Sequence, residues 1–80
     1  MARSRRLALP RRAQVEADAD GQPQMVEGRS VYAVRETWLL EDRWWADEPL
    51  RRRYWEVVTT GGVDRVVFHD LIAGGWWLQR

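Results

Sequence analysis

The sequence predicts a mostly β fold: a small antiparallel meander of three to four strands, able to curl as SH3-like domains do, preceded by a disordered N-terminal arm. Three observations predict it. Two runs rich in β-branched and aromatic residues flank the pair Gly61-Gly62, a third such run begins near Ser30, and the first 28 residues hold few large apolar side chains. We therefore expect an arm over residues 1–29 and one small tryptophan-rich β domain over residues 30–80.

The domain is small, and its aromatic side chains must supply most of its core. The chain has 80 residues, six tryptophans and no cysteine. A folded part of about 50 residues buries a modest share of its surface, and no disulfide or thiolate metal site can reinforce it. The lone histidine, His69, cannot build a multi-histidine metal site. We expect no cofactor and no bound metal.

The N-terminal arm combines arginine, alanine and acids with the breakers Pro10, Gly21 and Pro23. Such a segment buries too little apolar surface to offset the entropy lost on ordering, which predicts disorder. Its first 12 residues contain five arginines and no acid, whereas the net charge of the whole chain is only +1. That balance is not the strongly basic one of a dedicated nucleic-acid binder.

The run Val31–Leu40 alternates in a way that suits a strand. Tyr32, Val34, Trp38 and Leu40 share one parity. A helical stripe of Val34, Trp38 and Asp42 is also present, but the β-branched and aromatic content favours a strand. This strand would cover or extend the meander. Residues 41–49 then form a connection that holds Trp44 and Trp45 among acids.

The hairpin over residues 52–70 is the clearest element. A two-residue Gly61-Gly62 turn would pair Thr60 with Val63, Val57 with Val66 and Trp55 with Phe68. A second turn over residues 71–75 returns the chain, with Asp70 paired to Trp76; a slip of one residue there would exchange Trp76 and Trp77. The predicted core face consists of Trp55, Val57, Val66, Phe68, Trp76 and Leu78.

The opposite face of the same hairpin would carry Tyr54, His69 and Trp77, flanked by Arg52 and Arg65. Aromatic platforms beside guanidinium groups hold single-stranded nucleic acid without sequence preference. The alternative is that Val31–Leu40, or a second copy of the chain, covers this row. For the run Arg51–Arg53, ion pairs with nearby acids such as Glu41 are the alternative to phosphate binding.

A family resemblance covers about the last 40 residues. It rests on Trp44-Trp45, on Arg53-Tyr54-Trp55-Glu56-Val57, on Phe68-His69-Asp70-Leu71 and on Gly75-Trp76-Trp77-Leu78. These residues resemble a small domain known mainly from actinobacteria and other GC-rich bacteria, which also closes the C-terminal end of ImuB-type proteins, catalytically inactive relatives of Y-family DNA polymerases. The resemblance implies a part in bacterial DNA repair or translesion DNA synthesis, and it supplies no catalytic motif.

Catalysis and membrane insertion have little basis in the sequence. Asp70 adjoins His69, but neighbouring strand residues point to opposite faces and no serine or cysteine lies near them. No apolar run approaches the length of a membrane span, and the patch Leu7–Leu9 is too short for a signal peptide. We therefore expect a cytoplasmic protein that is not an enzyme.

Three hypotheses for function follow. The first is a protein-interaction module that meets a repair or translesion-synthesis factor through an exposed strand edge and through Trp44, Trp45 or Trp77, because tryptophans are common interface anchors. The second is weak, sequence-independent binding of single-stranded nucleic acid by Tyr54, His69, Trp77, Arg52 and Arg65. The third is a small structural homodimer.

Overall fold

The computed structural model describes residues 9–42 and 49–80, and these form one antiparallel sheet with no helix. The strands are β1 Arg11–Arg12, β2 Val15–Ala17, β3 Pro23–Val26, β4 Arg29–Asp42, β5 Leu50–Thr59, β6 Val63–Asp70 and β7 Trp76–Leu78. The mostly β, antiparallel architecture is confirmed. The predicted strand number is wrong, since there are seven strands in the order β1-β7-β6-β5-β4-β3-β2. None of the described residues lies in a helix that could cross a membrane.

The sheet is curled, and one short segment links its two ends. In that segment β1 pairs with β7 and β2 pairs with β3, although β1 and β2 are separated only by Ala13 and Gln14. Ala13 donates its backbone N–H to Trp76 O at 3.0 Å, and Gln14 O accepts the N–H of Glu27 at 2.7 Å. The same few residues therefore hydrogen-bond to strands at opposite ends of the sheet.

Within residues 1–29, for which the sequence predicts a disordered arm, the structure has the three short strands β1 to β3. Val26 is 1% exposed in the core, and Ala13 and Val15 pack against the same cluster. The turn from β3 to β4 uses Glu27 and Gly28, both with positive φ as a two-residue type I′ turn requires. The segment has few apolar residues, but they fall where the curled sheet would otherwise be open. Residues 1–8 lie outside the described residues.

The predicted register of the β5–β6 hairpin is wrong by one residue. Thr59, not Thr60, pairs with Val63, because Gly62 N–H donates to Thr59 O and Thr60 N–H is used by Ser30 O on β4. On the other side of β6, His69 pairs with Trp76 where Asp70 was expected. Both errors fall on β6, so the side chains of β6 change faces while those of β5 and β7 keep theirs. Trp76 and Trp77 are therefore not exchanged.

The side chains of the sheet form two apolar clusters, one on each face. The inner core lies on the concave face and consists of Val26, Trp55, Val57, Val67 and Leu78, with Trp76 packed against it. The outer cluster lies on the opposite face and consists of Tyr54, Val66 and Phe68, with Trp77 packed against it. Val66 and Phe68, assigned to one face with Trp55, belong to the other, because the β6 register differs by one residue.

Candidate functional site

An aromatic row crosses the outer face through four neighbouring strands. Trp38 on β4 pairs directly with Tyr54 on β5, Tyr54 with Phe68 on β6, and Phe68 with Trp77 on β7. The ring centroids are 5.2 Å, 4.9 Å and 6.3 Å apart in that order. The ring planes of Trp38 and Tyr54 are nearly parallel, with an angle of 2° between them. These separations are those of favourable aromatic pairs.

Two arginines cover part of this aromatic row. The Arg52 guanidinium carbon lies 4.4 Å from the Phe68 ring centroid, and that of Arg12 lies 5.1 Å from the Trp77 ring centroid. Both are cation–π contacts. Arg52 also donates from Nη1 to Tyr54 Oη at 3.3 Å. Its Nε is buried with no hydrogen-bond partner among the residues that the structure describes, which is an unfavourable contribution within the outer cluster.

The middle of the aromatic row is packed rather than open. Phe68 is 1% exposed and Tyr54 8% exposed, since each ring lies against its neighbours. Bases need an accessible ring face on which to stack, and these two rings offer none. Trp38 is different: it ends the row and is 37% exposed. The most accessible ring of the aromatic row is thus Trp38, at its β4 end.

The structure brings together only part of the predicted nucleic-acid set. Tyr54, Trp77 and Arg52 share the outer face, as the prediction had them. His69 and Arg65 lie on the inner face, because the β6 register differs by one residue from the predicted one. There His69 stacks on Trp76 at 4.7 Å and 6°, and Trp76 contacts Trp55 at 5.1 Å.

A cavity of about 320 Å³ opens beside the β7 end of the aromatic row, lined by Leu9, Pro10, Arg52, Phe68, Asp70 and Trp77. Asp70 supplies the one carboxylate among these lining residues, and this carboxylate already accepts two backbone hydrogen bonds. Asp70 Oδ1 accepts the N–H groups of Ile72 and Ala73, both at 2.9 Å. The hydrogen bond from Ala73 is the largest of the causes that lower the pKa of Asp70. Asp70 therefore holds the turn before β7.

Strand β4 carries more exposed large apolar side chains than any other described strand. In the part of the chain that the structure describes, β3 pairs only with Arg29 and Ser30, so no strand covers β4 from Tyr32 to Asp42. Two bulges add Tyr32 and Arg35 to this strand without partners in β5. Four large side chains of β4 are exposed: Tyr32 79%, Trp38 37%, Leu39 39% and Leu40 38%.

Charged side chains also mark this open edge. Arg51 on β5 pairs with Glu41 at 3.0 Å, and Arg35 pairs with Asp64 at 3.3 Å. Such exposed ion pairs contribute little stability. The Glu41 contact agrees with the ion-pair alternative for the run Arg51–Arg53. Glu36 lies directly opposite Glu56, and no described residue forms an ion pair with either carboxylate.

The remaining predicted site residues divide into two groups. Trp44 and Trp45 lie outside the described residues. Trp77 is half-buried in the aromatic row under Arg12. The bulges of β4 were missed, because nothing in the alternation of residues 31–40 distinguishes an inserted residue from a paired one. Within residues 9–42 and 49–80, no cluster of three possible metal ligands occurs.

The fold and its surfaces define a small curled antiparallel sheet with one long unpaired strand edge beside an aromatic row. No protein-family model matches the chain. Searches of curated proteins and of solved structures likewise returned no match.

Proposed function

We propose that this chain is a non-catalytic protein-interaction module that binds an extended segment of a partner along the outer edge of β4. The observation that supports it is the length of unpaired strand from Tyr32 to Asp42, with Trp38, Leu39 and Leu40 exposed beside it. A strand edge presents unpaired N–H and C=O groups that another strand can bind. Apolar side chains along the edge add affinity on both faces of the added strand.

The edges of the short strands β1 and β2 differ from the edge of β4, and this difference supports β4 as the binding site for the partner. β1 and β2 are only 2 and 3 residues long, and the segment that contains them hydrogen-bonds to both β7 and β3. Short strands are one way in which proteins protect an edge. β4 spans 14 residues, and beyond Ser30 it pairs along one side only within residues 9–42 and 49–80. The stretch from Tyr32 to Asp42, which pairs with β5 alone among the described strands, is long enough to accept a partner strand of several residues.

In this proposal the protein acts in the bacterial cytoplasm, as an accessory in DNA repair or translesion DNA synthesis. This part of the proposal rests on the resemblance of the last 40 residues to the domain that closes ImuB-type proteins. In that setting the partner would be a repair or replication factor with an extended segment to donate.

Capture from cells tests this proposal with a matched pair of variants. Leu40→Lys places a charge on the β4 edge, and Ile72→Lys places the same charge in the exposed turn before β7. Both sites are partly exposed, so both variants should melt near the parent temperature. After DNA damage, the parent and Ile72→Lys should retain a repair or replication factor that Leu40→Lys loses. Equal recovery with all three proteins, or recovery of ribosomal and metabolic proteins alone, would contradict the proposal.

Weak binding of single-stranded nucleic acid is the second candidate, favoured by Arg12 and Arg52 on the outer face and by the exposed ring of Trp38. It ranks lower because the rings of Tyr54 and Phe68 are already stacked and buried. Binding of this kind should quench tryptophan fluorescence and weaken steeply between about 50 and 200 mM salt. No quenching by an oligonucleotide at low salt would eliminate it. The third candidate, a homodimer joined at the β4 edge, would show in sedimentation at micromolar concentration.

A further inference from the structure

We infer that the strand accepted by β4 carries, on the aromatic-row face, an aliphatic, an aromatic and a basic residue at alternate positions, with the basic residue beside Glu36 and Glu56. This inference rests on the proposed function and deepens it, since it names the chemistry of the partner segment. Read from N to C terminus, the segment is aliphatic-x-aromatic-x-basic when it runs antiparallel to β4.

The register of β4 fixes which side chains a new strand would meet. Trp38 lies on the outer face, stacked on Tyr54, so Glu36 and Leu40 lie on the same face by alternation. Side chains directly opposite one another on neighbouring strands are about 4.5 to 5.5 Å apart at Cβ. An added strand therefore places one residue beside each of Glu36, Trp38 and Leu40.

The position beside Glu36 favours a cation. Glu36 is paired with Glu56 on β5, and like charges directly opposite one another are destabilising. The nearby arginine of β4, Arg35, is engaged with Asp64. A lysine or arginine on the added strand would lie next to Glu36 in the same row. It would thus offset a repulsion that the described residues leave uncompensated.

The two positions that follow favour apolar side chains. Trp38 ends the aromatic row with 37% of its surface exposed, so an aromatic ring on the added strand would extend the row by one more strand. Leu40 is 38% exposed beside Arg52, and an aliphatic side chain would cover it. Antiparallel pairs outnumber parallel ones in proteins. That preference sets the order of the three residues in the segment.

Peptide binding to the full chain tests the pattern. The probe is fluorescein-labelled Thr-Val-Thr-Trp-Thr-Lys-Thr, compared with the same peptide carrying glutamate in place of lysine. We expect the glutamate peptide to bind about fivefold more weakly to the parent protein. Glu36→Lys should reverse this preference. Glu16→Lys changes the net charge equally on β2, which pairs with β3 and not with the unpaired stretch of β4, and should preserve the parent preference.

Hydrogen exchange at the amides of β4 separates the two levels of the proposal. Protection of residues 32–42 by the lysine peptide, with the reversal in Glu36→Lys, supports the pattern. Equal protection by both peptides in every protein would overturn the pattern while the edge-binding function stands. Absence of protection by either peptide would overturn the pattern, and the capture experiment with Leu40→Lys decides the edge-binding function separately.

Discussion

The two faces of this sheet are protected from water in different ways. On the inner face, the β2–β3 hairpin brings Val26 against Val57 and Val67, and backbone from residues 11–17 completes the enclosure. On the outer face, the aromatic row is covered by the side chains of Arg12 and Arg52 and is left open at Trp38. The inner face is a stability core, and the outer face keeps an accessible apolar end next to an unpaired strand edge.

The largest expected effect tests the inner face. Trp55→Ala removes a buried ring that contacts Trp76, and it should cost about 3 to 5 kcal/mol, enough to abolish folding in so small a domain. Circular dichroism during heating measures it, with Leu71→Ala in the exposed turn as the control. A cooperative, near-parent melt for Trp55→Ala would mean that the inner core does not hold the fold.

A smaller effect on stability, but a larger one on binding, is expected at the open end of the aromatic row. Trp38→Ala deletes a ring that is already more than one-third exposed, and it should cost about 1 to 2 kcal/mol. The variant should fold, yet it should lose the partner that the parent protein captures. If its unfolding free energy falls as far as that of Trp55→Ala, the two faces do not differ in the way described.

The smallest effect concerns two carboxyl groups at turns, that of Glu27 between β3 and β4 and that of Asp70 at the end of β6. Glu27 accepts the backbone N–H of Gln14 at 2.7 Å, the largest cause that lowers the pKa of Glu27, and Asp70 is held by Ala73 in the same way. A carboxyl with a lowered folded pKa stabilises the fold while ionised, and this contribution is lost as the pH falls through that pKa.

The unfolding free energy should therefore decrease as the pH is lowered below about 4. Glu27→Gln and Asp70→Asn should each flatten this decrease in chemical denaturation followed at several pH values. The control is Glu16→Gln, an exposed carboxyl on β2 for which no hydrogen bond appears among the described contacts. An unchanged pH profile in both test variants would show that these hydrogen bonds contribute nothing to stability.

The sequence predicts the β architecture well because alternation and glycine turns are local signals. It does not predict the features that depend on contacts distant in sequence or on a register difference of one residue. Thr60 is held by Ser30 on a distant strand, so the Gly61-Gly62 pair does not by itself set the hairpin register, and Phe68 changes face. The strands in residues 11–26 were missed for a related reason. Val15 and Val26 pack against the inner core only when the rest of the curled sheet has formed.

Whether a residue of the candidate site could be placed from the sequence depends on the strand that carries it. Tyr54, Trp77 and Arg52 could be placed on one face from β5 and β7 alone, and the structure has them there. His69 and Arg65 depended on β6, whose register no local signal determines. The bulges at Tyr32 and Arg35 lengthen β4 relative to β5, which a count of alternating residues cannot detect.

The pairing of Arg11 with Leu78 has a consequence for the order of folding. The β5–β6 hairpin closes a loop of three residues, whereas the β1–β7 ladder joins segments from opposite ends of the described chain. Contacts distant in sequence carry a larger loop-closure cost and slow the folding rate. We therefore expect the central hairpins to form early and the β1–β7 ladder to be the last step, so that substitutions at Ala13 would accelerate unfolding more than they retard folding.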